Sequence, residues 1–208
     1  MMLKVNEIFY SIQGESTFVG LPCVFVRLTG CNLRCRYCDT SYAYFEGEEM
    51  TIAEILAKVK QFPCRLVEIT GGEPLLQSGT IELCQQLIAT GMTVLLETNG
   101  SCDIQALTQP IVRVIDVKCP GSGEEGSFLL SNLEDLRSTD NLKFVLSHEQ
   151  DFQWALKLVK TQQLIEKCPV LFSPVHGKMR PKLLAEFIKE SGLPIRMQLQ
   201  LHKIIKLR

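Results

Sequence analysis

The sequence predicts an α/β fold in which parallel strands are joined by helical crossovers, as a barrel or an open sheet, in one domain spanning residues 1–208. Three observations predict it. Apolar runs rich in β-branched residues recur along the chain, and amphipathic helical patterns separate several of them. A chain of 208 residues, 46% hydrophobic, can bury one substantial core, whereas two would leave both halves small. In such folds the site lies at the carboxyl ends of the strands.

The strand-like runs are 22–28 (PCVFVRL), 65–70, 92–97, 111–117, 142–146, 169–173 and 195–201. The segment 9–17, FYSIQGEST, reads as a polar stretch ahead of the first of them. A helix begins at Thr51, where Thr51 and Glu54 form a capping box and Ile52, Ile55, Leu56 and Val59 share a face. A second runs from about 80 to 90 and ends at Gly91. A third carries Phe152, Ala155, Leu156 and Val159; a fourth opens at Pro181 and stops at Gly192. Residues 121–140 break this rhythm and are expected to form a surface excursion or a lid.

Lys and Arg total 22 against 23 Asp and Glu, with no run of five like charges. That excludes a broad basic stripe for nucleic acid or a membrane surface, and a small-molecule partner is expected. No stretch approaches the roughly 18 apolar residues a spanning helix requires, so a cytoplasmic location is expected. Nine cysteines, an odd number, do not make a disulfide framework in a reducing compartment; some should hold metal and others fill the core. Cys23, Cys64, Cys84, Cys102, Cys119, Cys168 and His148 receive no role.

Cys31, Cys35 and Cys38 follow the strand PCVFVRL directly. Thiolates at spacings of four and three can wrap one face of an iron–sulfur cube, leaving one iron open. Zinc would require a fourth Cys or His, and the usual paired spacings are absent. The open iron could chelate the amino and carboxylate groups of S-adenosylmethionine. One strand later comes Thr70-Gly71-Gly72-Glu73-Pro74, where two glycines permit close backbone approach and a carboxylate could face an ammonium. With Tyr37 just before the last cysteine, this pair of motifs resembles the radical S-adenosylmethionine superfamily, which implies a partial (β/α) barrel of the radical SAM type, a 4Fe-4S cluster on three cysteines and bound S-adenosylmethionine.

Gln13, Glu15 and Arg27 suit a polar heterocycle bearing a carboxylate, although the same residues would serve equally as a polar loop with Arg27 in a surface ion pair. A wider pattern adds to them. Ile12-Gln13-Gly14-Glu15-Ser16, Thr40, the lysine of Asp116-Val117-Lys118, Ser173-Pro174-Val175-His176 and the ending Gln198-Leu199-Gln200-Leu201-His202-Lys203 resemble the 7-carboxy-7-deazaguanine synthases. The likeness leaves 121–165 essentially uncovered. It implies that 6-carboxy-5,6,7,8-tetrahydropterin is converted to 7-carboxy-7-deazaguanine, with loss of ammonia, for queuosine and other 7-deazapurines.

Carried over residue by residue, the resemblance implies that Ile12, Gln13, Gly14, Glu15, Arg27, Thr70 and the terminal Arg208 contact the pterin. Tyr37, Cys38, Asp39, Gly72, Glu73, Asp116, Val117, Lys118, Ser173, Pro174, Val175 and His176 would hold S-adenosylmethionine, and Thr40 would ligate Mg²⁺. It further implies a one-electron donor such as flavodoxin or ferredoxin, and a homodimer. Two other readings fit parts of the sequence: a superfamily activase that takes hydrogen from a partner protein's glycine, and a non-enzymatic iron–sulfur protein, for which the TGGEP motif would have no purpose.

Overall fold

The structure is a computed structural model that describes residues 1–207. Its frame is one nine-stranded sheet in the order β3-β1-β2-β4-β5-β6-β7-β8-β9. Strands β2 (Pro22–Leu28), β4 (Leu66–Gly71), β5 (Thr93–Thr98), β6 (Val112–Val117), β7 (Asn141–Leu146), β8 (Val170–Pro174) and β9 (Arg196–Met197) are mutually parallel, while β1 (Met2–Ile12) runs antiparallel to β2 and to β3 (Glu48–Thr51). Parallel neighbours need crossovers, and α1 (Ile52–Val59), α2 (Thr80–Ala89), α3 (Glu149–Thr161) with α4 (Leu164–Lys167), and α5 (Pro181–Ser191) supply several of them. A short α6 (Leu201–Ile205) ends the chain.

The helix signals read from the sequence are present in the geometry. Thr51 accepts from the Glu54 N–H while Glu54 Oε2 accepts from Thr51 N at 2.7 Å, and Pro181 opens α5, which Gly192 closes in the left-handed region at φ 67°. The core lies between sheet and helices: Val26, Ile69, Leu96, Ile115, Phe144 and Phe172 are fully or almost fully buried beneath residues such as Ile55, Leu83 and Phe152.

Three expectations are corrected. The segment read as preceding the first strand belongs in part to β1, whose Leu3 and Val5 are buried between more exposed neighbours; a half-buried strand carrying Lys4, Asn6 and Glu7 has too little apolar content to register as a run. Of 195–201, only Arg196 and Met197 are strand, and Leu201 starts α6, so His202 and Lys203 sit on a helix and not at a strand end. The glutamines explain this. Gln198 accepts from Ser16 N at 2.8 Å and donates to Ser16 O at 2.7 Å, while Gln200 Nε2 donates to Glu15 Oε1 at 2.8 Å. Side-chain pairing thus joins the loop after β1 to the end of the sheet where a closed barrel would have a ladder, and Leu201 N–H donates to Gly14 O at 3.1 Å.

The 121–140 segment is packed. Asn132 is buried and donates to Gly100 O and Cys102 O, Arg36 N–H donates to Ser122 O at 2.8 Å, and Glu124 Oε1 accepts from Arg34 N at 2.6 Å. It braces the cysteine loop from outside.

Candidate active site

A cavity of about 420 Å³ opens at the carboxyl ends of the parallel strands. Cys31, Cys35 and Cys38 line it, free of disulfides and half-buried, on the loop that leaves β2 through Gly30 at φ 98°. The loop is tied down by Gly30 N–H to Ala43 O and Cys38 N–H to Cys35 O, and Cys31 Sγ accepts from Leu33 N–H at 3.4 Å. Burial pushes the Cys35 thiol up to about 11, against the pull of Lys118, and burial likewise raises Cys31. Bound iron would reverse that by holding thiolates directly. Among the described residues no three His, Cys, Asp or Glu converge on a single metal ion; cysteines on separate irons of a cube need not do so.

The glycines of TGGEP serve a close crossing. A Cβ on Gly71, at φ 140°, would lie 2.1 Å from Leu28 O, and one on Gly72 would lie 2.0 Å from Gly30 O. Only glycine lets this turn pack on the root of the cysteine loop, and Glu73 N–H then donates to Gly30 O at 2.7 Å. The Glu73 carboxylate does not face the cavity. It is fully buried and accepts from Leu75 N, Thr98 Oγ1 and Asn99 N at 3.0, 2.9 and 2.7 Å, so it organises the loop after β5. Gly71, Gly72 and Asn99 line the cavity there.

Of the remaining residues implied for the cofactor, Tyr37, Asp39, Asp116, Lys118 and Val175 line the cavity. Val117, Ser173 and Pro174 are buried behind the wall, and His176 is exposed outside it. Tyr37 Oη donates to Val145 O at 3.2 Å, which fixes its ring beside the cysteines. Asp116 pairs with Lys118 at 2.9 Å and Lys143 at 3.2 Å; burial disfavours its charge, but these two ammonium groups outweigh burial and hold the carboxyl below its usual range. Asp116 Oδ1 and Ser173 Oγ are buried without a hydrogen-bond partner among the described residues, capacity that a bound polar group could fill.

On the opposite wall Ile12, Gln13, Gly14, Glu15, Arg27 and Thr70 gather from three different elements. Arg27 Nε donates to Glu7 Oε1 at 2.8 Å and its guanidinium lies near the rings of Phe9 and Tyr42, so the ion pair exists but on the cavity wall, and it steadies the fork. Thr70 Oγ1 donates to Glu97 Oε2 at 2.9 Å. Thr40 also lines the cavity, its hydroxyl donating to Asp39 Oδ1 at 2.9 Å; Asp39 in turn pairs with Lys203 of α6 at 2.7 Å, and although burial opposes its ionisation the ammonium holds it near about 2. Arg208 lies outside the described residues.

Sequence reasoning missed a polar floor made by Glu68, Glu97 and Lys143, each buried or half-buried in the middle of a strand. Lys143 Nζ donates to Glu15 Oε2 at 2.7 Å and Glu97 Oε1 at 2.5 Å, reaching Asp116 as well. The signal existed: VEIT, LLET and LKFVL each place one charge in an apolar strand, and Glu68 shares a strand face with Thr70 two residues on.

The Radical SAM superfamily model matches residues 25–115. A curated relative from Chlorobaculum tepidum, named 7-carboxy-7-deazaguanine synthase, is 46% identical over 208 residues, covering 98% of this chain and 94% of that protein; one of the same name from Koribacter versatilis is 42% identical, covering 98% and 96%. The fold matches a crystal structure of QueE from Escherichia coli with TM-score 0.81 at 22% identity, over 97% of this chain and 95% of that one. At 46% and 42% identity over nearly the whole length of both relatives, the chain belongs to the 7-carboxy-7-deazaguanine synthase family of radical S-adenosylmethionine enzymes.

Proposed function

We propose that this enzyme converts 6-carboxy-5,6,7,8-tetrahydropterin to 7-carboxy-7-deazaguanine by ring contraction with loss of ammonia, a step in 7-deazapurine (queuosine) biosynthesis. The observation that carries the reading is co-location: the three cysteines, the glycine turn and the set Gln13, Arg27 and Thr70 all line one cavity. A 4Fe-4S cluster with S-adenosylmethionine supplies, when bound, the one-electron chemistry that begins hydrogen abstraction from carbon.

The protein's part is to position and to exclude water. Cys31, Cys35 and Cys38 would hold the cluster; Tyr37, Asp39, Gly72, Asp116, Lys118 and Val175 would surround the cofactor, with Ser173 behind them. Arg27 would bind the substrate carboxylate through the Nη groups that Glu7 leaves unused, while Ile12, Gln13, Gly14 and Glu15 form the facing wall. Thr40 would give Mg²⁺ one hydroxyl oxygen, with substrate and water supplying the other ligands. A cytoplasmic homodimer fed by flavodoxin or ferredoxin completes the proposal.

The test is anaerobic reconstitution with iron and sulfide, followed by reductant, S-adenosylmethionine, Mg²⁺ and the carboxytetrahydropterin. Formation of 7-carboxy-7-deazaguanine is expected. Cleavage of the cofactor to deoxyadenosine without that product would overturn the substrate assignment.

A further inference from the structure

The carboxylates on the cavity wall differ in what they have left to offer. Both oxygens of Glu97 are taken, by Thr70 and Lys143; both of Glu15, by Lys143 and Gln200; both of Asp39, by Thr40 and Lys203. Glu68 is different. Its Oε2 accepts from Gln13 Nε2, and Oε1 has no hydrogen-bond partner among the described residues. The residue is 5% exposed, on the cavity floor, and no cation among the described residues hydrogen-bonds to it.

Gln13 is oriented without ambiguity. Its Oε1 accepts from Glu15 N–H at 3.1 Å, so Nε2 must face Glu68, and the second amide N–H of Nε2 carries no protein acceptor among the described residues. Beside the pair, Phe9 and Phe25 stack with ring centroids 4.9 Å apart; both line the cavity, giving a flat ring an apolar wall. In sequence along the floor stand one open donor, the Glu68 Oε2 with one lone pair beyond the Gln13 bond, and the Glu68 Oε1 with no partner among the described residues.

That pattern complements one ligand edge: a carbonyl followed by two N–H donors, as in a 2-amino-4-oxopyrimidine. We infer that Glu68, acting with Gln13, reads this edge of the bound heterocycle, the Gln13 amide donating to the C4 carbonyl and the Glu68 carboxylate accepting from N3–H and the 2-amino group. The inference rests on the substrate reading proposed above and adds a specificity residue to it. Ring contraction leaves that edge untouched, so Glu68 grips substrate and product alike and acts on KM more than on kcat.

The electrostatics agree. Burial, reinforced by Glu97 and Glu15 and opposed by Gln13 and Lys143, pushes the Glu68 carboxyl up to about 8, and the Cys23 thiol of β2 also lies close by. Two N–H donors from a ligand favour the ionised form, so binding at pH 7 should release about one proton.

The probes are 6-carboxypterin and 6-carboxylumazine, stable molecules that differ at C2, amino against oxo; binding is followed by calorimetry on the reconstituted enzyme with S-adenosylmethionine. Wild type should prefer the pterin roughly tenfold or more. Glu68→Gln is isosteric and offers an N–H where the lumazine has an oxygen, so the preference should vanish or invert and the proton release should disappear. Equal binding of the two by wild type, or an unchanged preference in Glu68→Gln, overturns the inference and leaves the substrate reading standing. Failure of wild type to bind either probe overturns the substrate reading and this inference with it. The wild-type comparison decides even if the variant does not fold.

Discussion

Lys143→Met isolates the energetics of the polar floor. The ammonium is 4% exposed and sits 2.7, 2.5 and 3.2 Å from oxygens of Glu15, Glu97 and Asp116. Methionine keeps the unbranched stem, one atom shorter, but leaves these carboxylates without their shared cation, and removing one partner of a buried ionic group costs about 3–5 kcal/mol. For a chain of this size that corresponds to a fall in Tm of roughly 6–20 °C. Acidity supplies the sign. Glu15 and Asp116 are held below their ordinary values by the lysines despite burial, so their stabilising contribution is present above about pH 4 and is lost as pH falls through the lowered folded values. Without Lys143, burial is opposed only by Gln200 and His202 at Glu15 and only by Lys118 at Asp116, so both carboxyls move up, Glu15 the more, and protonation relieves the variant already as pH drops from about 7.5 toward 5. Urea melts of the anaerobic, cluster-free protein at these two pH values should therefore show a large deficit that narrows on acidification. A deficit below about 1 kcal/mol, or one that widens toward pH 5, would refute the account of Lys143 as the buried cation shared by Glu15, Glu97 and Asp116.

Other consequences are as direct. Arg27→Ala should raise KM for the carboxytetrahydropterin roughly ten- to a hundredfold while S-adenosylmethionine binding holds, as measured by steady-state kinetics and cofactor titration; equal loss of both would contradict a carboxylate-binding role. Cys31→Ser should abolish the visible cluster absorption after reconstitution, whereas Cys102→Ser should retain it, since Cys102 is not on the cavity wall. Gly14→Ala would place a Cβ 2.3 Å from Nδ1 of His202, so α6 should be displaced: proteolysis of the C-terminal segment should accelerate and KM should rise, with the urea midpoint nearly unchanged.

The parts legible in sequence were those encoded by short-range rules. The capping box at Thr51, the Pro181 start and Gly192 stop of α5, and the apolar runs that became β2, β4 and β6 depend on neighbours within a few residues. The cysteine loop and the glycine turn were equally readable, because cluster ligation and close backbone crossing demand fixed residue types at fixed spacing. Strand β1 was not, since its burial is supplied by β2 and β3, ten or more residues away, and neither was α6, whose start depends on glutamines pairing with the loop after β1.

The sequence by itself determined the chemistry class and the scaffold: thiolate spacing and an alternation of apolar runs with amphipathic helices are local patterns with local physical causes. Tertiary structure decided what each polar group has left to give. Glu73, which looked like a cofactor ligand, is consumed by Leu75, Thr98 and Asn99, and Glu68, which drew no notice, keeps an oxygen on the cavity floor that is unpaired among the described residues. Whether a carboxylate is spent or available depends on donors brought from distant strands, a property of the packed sheet.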